Sequence, residues 1–317
     1  MHELKIGKND AGQRLDKFIT KALHLPTSLL HKSIRLKKIK VNRKRAEASQ
    51  MLSEGDTIQC FLPEEFFGAE KSTHSLASIH PSLSVLYEDE NILLADKRPG
   101  VSVHEDEHES TNTLITQIQA YLYQKGEYDP DKEQSFAPAL CNRIDRNTGG
   151  IVIAAKNAEA LREMNEKIRN DELRKCYICA VHGIPKKQSA TLTGYLKKNS
   201  ADNTVDVVDT PKAGYKEIIT KYHILKTRRD AALLEVELVT GRTHQIRAHL
   251  SHIGHPLLGD GKYGVNKEDR AMGYKFQALY AYRLTFRHVE REGALKYLEG
   301  KNFSIDQNDV WFIKDFT

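Results

Sequence analysis

Residues 141–156 read CNRIDRNTGGIVIAAK, a charged loop that runs directly into an apolar strand. The stretch from Ile151 to Ala155 holds no polar residue, which is typical of a strand buried on both faces. Gly149 and Gly150, at the junction, permit another backbone to approach closely. The sequence therefore predicts a rigid scaffold that holds a polar loop in place.

The segments around this junction predict an α+β domain. A strand is predicted at 83–87 and another at 92–96, with a helix at about 157–170 and a smaller one starting near Asn112. Few helices among many short strands indicate a mixed, largely antiparallel sheet.

The first sixty residues have the pattern of a separate small α+β unit. Apolar residues recur with helical spacing from Leu15 to Leu23, and a second helix can start after Pro26. Short strands are predicted at 39–41 and 57–62. We therefore divide the chain into a small domain at 1–62, a linker at 63–80 and a larger domain at 81–317.

Net charge is +5, but one segment supplies the basic character. The segment from Lys32 to Arg45 contains no acidic residue. Its basic residues are Lys32, Arg35, Lys37, Lys38, Lys40, Arg43, Lys44 and Arg45. A localised basic stripe is typical of a nucleic-acid surface. A solvated lysine-rich face is the alternative, although such faces are usually interspersed with Glu or Asp.

Composition and cysteine usage indicate a cytoplasmic protein. No apolar run approaches the roughly 20 residues of a membrane helix, and residues 1–10 lack the apolar centre of a signal peptide. Cys176 and Cys179 have the C-x-x-C spacing of zinc or redox sites. Their neighbours are strand formers, however, and residues three apart in a strand point to opposite faces. We therefore favour packed thiols.

Asp145 is the first candidate for chemistry. It stands between Arg143 and Arg146 in the loop described above, and nearby positive charge favours an ionised carboxylate. A catalytic anion and a turn with a structural ion pair both fit this pattern.

The second candidate segment follows a predicted strand and reads TGRTHQIRAHL from Thr240 to Leu250. It can present Arg242, Gln245 and Arg247 to a phosphate or a carboxylate. Nearby histidines invite a metal interpretation, which the absence of H-E-x-x-H and the break at Gly254 disfavour. The histidines are His244, His249, His252 and His255. No G-x-G-x-x-G or Walker motif is present, so we expect no cofactor.

The first unit resembles the RNA-binding domain named after small-subunit ribosomal protein S-four. The likeness rests on residues 12–18, on the basic second helix, on Lys40-Val41-Asn42 and on Gly55-Asp56. It implies that RNA is the partner. The expected contacts are Lys32, Arg35, Lys37, Lys38 and Lys40.

The larger domain resembles the ribosomal large-subunit branch of the pseudouridine synthases. Residues 142–150 are similar to its signature H-R-L-D-x-x-T-S-G, and residues 238–264 to L-x-T-G-R-x-H-Q-I-R-x-H-x-x-x-x-G-x-P-x-x-G-D-x-x-Y-G. Lys97, Pro99, Gly100 and His104 resemble the K-P-x-G-x-x-V-H region. The resemblance implies a mixed-sheet domain with a central cleft that isomerises uridine in ribosomal RNA, most often of the large subunit, without a cofactor or metal.

The same resemblance assigns roles by position. Asp145 matches the catalytic aspartate, Tyr177 the tyrosine that stacks on the target base, and Arg247 the basic partner of the aspartate. Arg143 matches an arginine beside the flipped-out nucleotide, and Thr148, Arg242 and Gln245 are further expected substrate contacts. The family also leads us to expect a monomer.

Three residues depart from the family pattern. Asn142 replaces His, Gly149 replaces Ser, and Tyr280 stands where Leu-His-Ala is more usual. None of the three is a residue to which the resemblance assigns a chemical role. Two rival hypotheses remain: a non-catalytic RNA-binding protein that has kept the fold, and a metal-dependent RNA hydrolase built on the histidines.

Overall fold

The computed structural model of the protein describes residues 1–67, 76–105, 112–199, 202–264, 266–289 and 291–316. The chain divides into two compact units. The first comprises Met1–Ser82, Ile115–Ala139 and Ala155–Arg162, and the second Leu83–Leu114, Leu140–Ala154 and Glu163–Thr317. Within the predicted linker, residues 68–75 lie outside the described part. The boundaries at 62 and 80 stay a prediction.

The N-terminal part of the first unit is built as its apolar pattern predicts. Its elements are β1 (His2–Lys5), α1 (Leu15–Leu23), α2 (Thr27–Arg35), β2 (Ile39–Val41), β3 (Lys44–Arg45) and β4 (Thr57–Cys60). The strands pair antiparallel in the order β1-β4-β2-β3. Both helices bury their apolar stripes in one core with the inner face of this sheet, where Phe18, Leu30 and Ile58 are fully buried.

The later elements contain one long, largely antiparallel sheet. They are β5 (Val85–Glu88), β6 (Ile92–Lys97), α3 (Leu114–Gln124), β7 (Ala139–Leu140), β8 (Gly149–Ala155), α4 (Ala158–Arg169), β9 (Leu173–His182), β10 (Ser189–Asn199), β11 (Thr204–Val208), β12 (Lys216–Arg228), β13 (Ala231–Leu238), α5 (Gln245–His252), α6 (Asn266–Ala271), β14 (Leu279–Phe286) and β15 (Asn302–Ser304). The sheet runs β11-β10-β12-β13-β9-β14-β8-β6-β5, with β15 on β14 and β7 on β8. The predicted α+β class with a largely antiparallel sheet is confirmed.

Strand β8 is fully buried along its whole length, as its apolar run predicts. It pairs in parallel with β14, with Gly150 opposite Ala281. Gly150 has φ of 112°, and a Cβ there would lie 2.2 Å from the Ala281 carbonyl oxygen. Only glycine fits this close approach, which anchors the end of the charged loop against the sheet.

The cysteines are packed thiols, as predicted. Cys176 and Cys179 are buried on β9, and no disulfide bond joins the described cysteines. Among the described residues, no helix combines the length and apolarity that crossing a membrane requires.

Candidate active site

Arg247 is the centre of the polar cluster around Asp145. It lies in α5 and is only 6% exposed. Its Nη1 donates to Oδ2 of Asp145 at 2.7 Å, while Nε and Nη2 donate to the two oxygens of Asp260 at 2.7 and 2.8 Å. The planar guanidinium thus forms a bidentate ion pair with the buried Asp260 carboxylate and donates from its remaining nitrogen to Asp145.

The charges in this cluster support one another. Burial raises the pKa of Asp260, but the bonds from Arg247 and from the backbone N–H groups of Lys262 and Tyr263 outweigh it and hold that pKa below its ordinary value. Burial lowers the pKa of Arg247, but the two carboxylates outweigh it and raise the pKa above its ordinary value. The guanidinium is therefore a fixed charge in a largely dry site.

The Asp145 carboxylate keeps capacity for a ligand. Its side chain is 26% exposed, and within the described residues its Oδ1 accepts no hydrogen bond. The flanking arginines do not pair with it: Arg143 is exposed, and Nε of Arg146 donates to the Gly100 carbonyl. The charge partner of Asp145 is Arg247, the residue that the resemblance matched to the basic partner of the aspartate, 102 positions away along the chain.

Buried Lys97 fixes the backbone of the Asp145 loop by hydrogen bonds to carbonyl oxygens. It ends β6, is 1% exposed, and its Nζ donates to the carbonyl oxygens of Arg98, Val101 and Arg146 at 3.1, 2.9 and 2.8 Å. An ammonium has three N–H donors, and this site accepts all three. Burial lowers the pKa of Lys97 to about 7, which the charge of Asp145 partly opposes. Because Arg146 follows Asp145 directly, this lysine helps to fix the carboxylate.

A histidine and a tyrosine complete the other side of the cluster. His244 precedes α5 with φ of 51°, and its Nε2 lies 3.8 Å from Oδ2 of Asp145. Its Nδ1 is hydrogen-bonded to the Tyr263 hydroxyl at 2.9 Å, and the Arg247 guanidinium lies 5.2 Å from the Tyr263 ring centroid. Burial lowers the pKa of His244, which favours the neutral imidazole.

Tyr177 lies beside the same carboxylate on β9. It is 7% exposed, and burial, with a smaller effect from the charge of Asp145, raises the pKa of its hydroxyl. The ring lines a largely apolar cleft together with Asn142, Ile151 and Ile153. A neutral aromatic ring therefore stands at the wall of an apolar recess near the carboxylate.

Two expected substrate contacts have their polar groups engaged inside the protein. Gln245 is 2% exposed; its amide donates to Ile219 O and Thr220 Oγ1 and accepts from Thr240 and Arg242. These bonds support the loop, and the role of Gln245 as a substrate contact stays a prediction.

Thr148 is engaged inside the protein in the same way, and its role as a substrate contact also stays a prediction. It is 2% exposed, and its hydroxyl accepts from Gln277 at 3.1 Å. Its backbone N–H donates to the Asp145 carbonyl, so it closes the turn of the loop. Arg242 and Arg143, by contrast, are exposed and free to meet a ligand from the solvent side.

The histidines do not converge on a common point. His249 is hydrogen-bonded to Thr220, His252 to Asp209, and His255 to the carbonyl of His182. Across the described part of the chain, no group of three or more His, Cys, Asp or Glu side chains has the arrangement of a metal site.

The three departures from the family pattern have local explanations. The Asn142 side chain turns inward, and its Oδ1 accepts from the Ile153 backbone at 2.7 Å. Tyr280 lies opposite Gly149 in the register of β14 and β8, and its hydroxyl donates to Asp96 at 2.7 Å. A Cβ at Gly149 would lie 2.3 Å from Cε2 of that ring. Gly149 and Tyr280 are therefore sterically linked.

The basic stripe is a surface of the first unit. Lys32, Arg35, Lys37 and Lys38 are exposed and Lys40 is half-buried. The sequence analysis assigned no role to Asp260, Tyr263 or His244, although all three lie within the second family signature, residues 238–264. The G-D-x-x-Y spacing was the signal, since it returns a carboxylate and an aromatic ring to α5.

A mixed sheet that brings one accessible carboxylate, a fixed guanidinium and a neutral tyrosine together has the character of an enzyme active site. The sequence pattern of the family described as RNA pseudouridylate synthase matches residues 91–252, about half of the chain. The protein belongs to this family, which confirms the enzyme class predicted from the motifs.

Full-length relatives agree. The chain is 31% identical over 300 residues to ribosomal large subunit pseudouridine synthase C of Buchnera aphidicola subsp. Baizongia pistaciae, covering 92% of this chain and 91% of the relative. It is 33% identical over 290 residues to an uncharacterized RNA pseudouridine synthase of Mycoplasma genitalium, covering 90% and 89%.

Solved structures share the fold. Human RNA pseudouridylate synthase domain containing 4 superposes with a TM-score of 0.55 at 21% identity, over 70% of this chain and 88% of that one. Human RNA pseudouridylate synthase domain containing 1 gives 0.53 at 20% identity, over 75% and 97%. At these identities the likeness concerns the fold alone.

Proposed function

We propose that this protein converts specific uridines of ribosomal RNA to pseudouridine, with Asp145 as the catalytic carboxylate, no cofactor, and the large-subunit RNA as the expected target. The observation that carries the proposal is the Arg247 guanidinium, which orients Asp145 by one bond and is itself fixed by Asp260. The large-subunit target follows the printed name of the Buchnera relative.

The geometry suits an isomerisation. In that reaction the bond from N1 of uracil to the ribose breaks, a bond from C5 forms, the C5 proton leaves and N1 gains one. Atoms and electrons balance within the substrate, so no oxidant or co-reactant is required. A carboxylate with one oxygen bound to Arg247 and the other available can attack, or accept a proton.

Each other residue has a supporting role. Tyr177 is buried and neutral, which suits it to stack on the uracil ring and to keep water from the reacting bond. Exposed Arg143, two residues before Asp145, is placed to meet the RNA backbone beside the extruded nucleotide. Lys97 supports the loop from within through the carbonyl of Arg146.

The first unit supplies affinity in this proposal. Its S-four-like character, the RNA contacts of its basic stripe, a monomeric state and a cytoplasmic location stay predictions. In this proposal the basic stripe binds the RNA and Asp145 carries out the reaction. The two tasks can be assigned to different residues because phosphate contacts position the substrate without taking part in the reaction.

The test is pseudouridine mapping of total cellular RNA from cells that lack the gene, complemented with wild type or with Asp145→Asn. We expect particular ribosomal uridines to lose the modification in the deletion and to regain it only with wild type. Restoration by Asp145→Asn would exclude Asp145 as the catalytic group. An unchanged map would favour a non-catalytic RNA-binding role, and changes confined to transfer RNA would overturn the ribosomal target.

A further inference from the structure

Phe61 is an exposed aromatic residue directly after β4. It is 43% exposed, whereas Ile58 and Cys60 of the same strand are fully buried in the core. Because side chains alternate along a strand, Phe61 lies on the outer face of the four-stranded sheet when Cys60 lies on the inner one. Its backbone N–H donates to the Lys38 carbonyl at 2.7 Å, which continues the pairing of β2 with β4.

Positive charge borders this ring on the β2 side, while on the β1 side of the same face Glu3 accepts a hydrogen bond from Gln59. Nζ of Lys40 lies 5.4 Å from the Phe61 ring centroid, and Lys40 pairs with Arg45 across β2 and β3. Lys38 stands beside Phe61, and no acid occurs between Lys32 and Arg45. The exposed aromatic ring of Phe61 therefore lies beside a cluster of cationic side chains.

This combination distinguishes nucleic acid from protein as the partner. Lysine is depleted in the centres of protein–protein interfaces, yet here lysines adjoin the ring. Surfaces for single-stranded nucleic acid combine cations that track the phosphates with aromatic rings on which bases stack. The lysine that covers the ring in the free protein can move to a phosphate when a base takes its place.

We propose that Phe61 is a stacking platform for one unpaired RNA base, with Lys38 and Lys40 on the neighbouring phosphates. The inference rests on the proposed RNA-modifying function and adds that the first unit takes an unpaired nucleotide in addition to backbone phosphates. Since stacking tolerates any base, a probe need not contain the natural target sequence.

The experiment uses the full chain and two hairpin RNAs, one with 2-aminopurine in the loop and one with it in the stem. The variants are Phe61→Trp, which keeps an aromatic plate, and Phe61→Leu, which keeps an apolar side chain without one. Met51→Leu is the matched control, because Met51 is an exposed apolar residue of the same unit outside the basic stripe. Unfolding midpoints verify that every variant is folded.

Wild type and Phe61→Trp are expected to quench the loop probe and not the stem probe. Phe61→Leu is expected to lose the quenching and to raise Kd for the loop probe about 5- to 150-fold, the range of one lost base–aromatic stack. The slope of log Kd against log salt should stay unchanged, because no phosphate contact is removed.

Equal quenching and equal Kd for wild type and Phe61→Leu would overturn the stacking platform while leaving the proposed function in place. Quenching of the stem probe alone would also overturn it. Failure of the proposed function is seen separately, as wild-type protein that forms no pseudouridine in ribosomal RNA.

Discussion

The ring of Tyr280 occupies the space in which a side chain at position 149 would stand. A Cβ at Gly149 would lie 2.3 Å from Cε2 and 2.6 Å from Cδ2 of Tyr280. Burial and the charge of Asp96 raise the pKa of Tyr280, so its hydroxyl stays protonated and donates to that carboxylate. Gly149, the first residue of β8, and Tyr280, opposite it on β14, thus depart from the family pattern as one packing solution at the end of the Asp145 loop.

Gly149→Ser is expected to destabilise the protein by about 1–3 kcal/mol, because the ring cannot move without breaking its bond to Asp96. Tyr280→His restores the residue that the family pattern has and opens space. The double variant should be more stable than the sum of the single effects by about 0.5–3 kcal/mol. Urea unfolding of all four proteins measures this coupling.

The matched control for that cycle is Gly241→Ser, since a Cβ at Gly241 meets none of the described atoms within 4 Å. Its stability should stay near that of wild type. Strict additivity of Gly149→Ser and Tyr280→His would contradict the steric link.

Arg247→Lys is expected to lower kcat about 10- to 100-fold, with little change in KM. Lysine is a point charge and cannot donate a two-pronged edge to Asp260 while also holding Asp145, and a bond to a charged group contributes about 1.5–3 kcal/mol. Single-turnover assays on ribosomal RNA measure it. The exposed Arg169→Lys is the control, and an Arg247→Lys enzyme with wild-type kcat would refute the orienting role.

Lys97→Met is expected to lower the free energy of unfolding by about 2–4 kcal/mol, because Met keeps the volume but removes all three donors to the loop carbonyls. At temperatures where the variant is still fully folded, kcat should also be lower than in wild type, because the Arg146 carbonyl next to Asp145 loses its hydrogen bond to Lys97. Chemical unfolding and kcat report the two effects. The exposed Lys226→Met is the control; equal stability of both variants would argue against the anchor.

His249 predicts an acid-sensitive fold. Burial, with a smaller effect from His252, lowers its pKa to about 4, against about 6.5 when unfolded. Between pH 4 and pH 6.5 the unfolded chain binds a proton that the folded protein does not. The contribution of neutral His249 to the free energy of unfolding is therefore present above pH 6.5 and is lost as the pH falls toward 4. From pH 7.5 to pH 4.5 wild type should lose about 2–3 kcal/mol more than His249→Gln. Parallel stability curves would contradict this.

Neutralising Lys37, Lys38 and Lys40 together is expected to weaken RNA binding and to reduce the salt slope by up to about 2–3, since each lost phosphate contact removes about 0.7–0.9. Pseudouridine formation at saturating enzyme should continue. The control is a triple alanine variant of Lys186, Lys187 and Lys226, which are exposed outside the stripe. Equal salt slopes for wild type and the stripe variant would refute the proposal that the basic stripe binds the RNA phosphates while Asp145 carries out the reaction.

Local pattern determined much of this protein. The apolar run after Gly150 dictated a buried strand, and the spacing from Leu15 to Leu23 dictated a helix, because periodicity of burial is written in adjacent residues. The helix predicted at about 157–170 is α4, and Asn157 caps it by accepting from the Ala160 N–H. The two long motifs identified the candidate loop and its Arg247 partner without knowledge of any distance.

Only the tertiary structure decided the full set of bonds that each polar group of the site makes. Asp145 has arginines on both sides in sequence, yet it pairs with Arg247, because the fold turns Arg143 and Arg146 elsewhere and brings α5 to the loop. The same holds for Gln245 and Thr148, whose polar groups bind the protein itself, and for Tyr280, which fills the space over Gly149. Hydrogen bonding and steric fit act across sequence distances that no local pattern records, so sequence determined the elements and tertiary contacts determined the site.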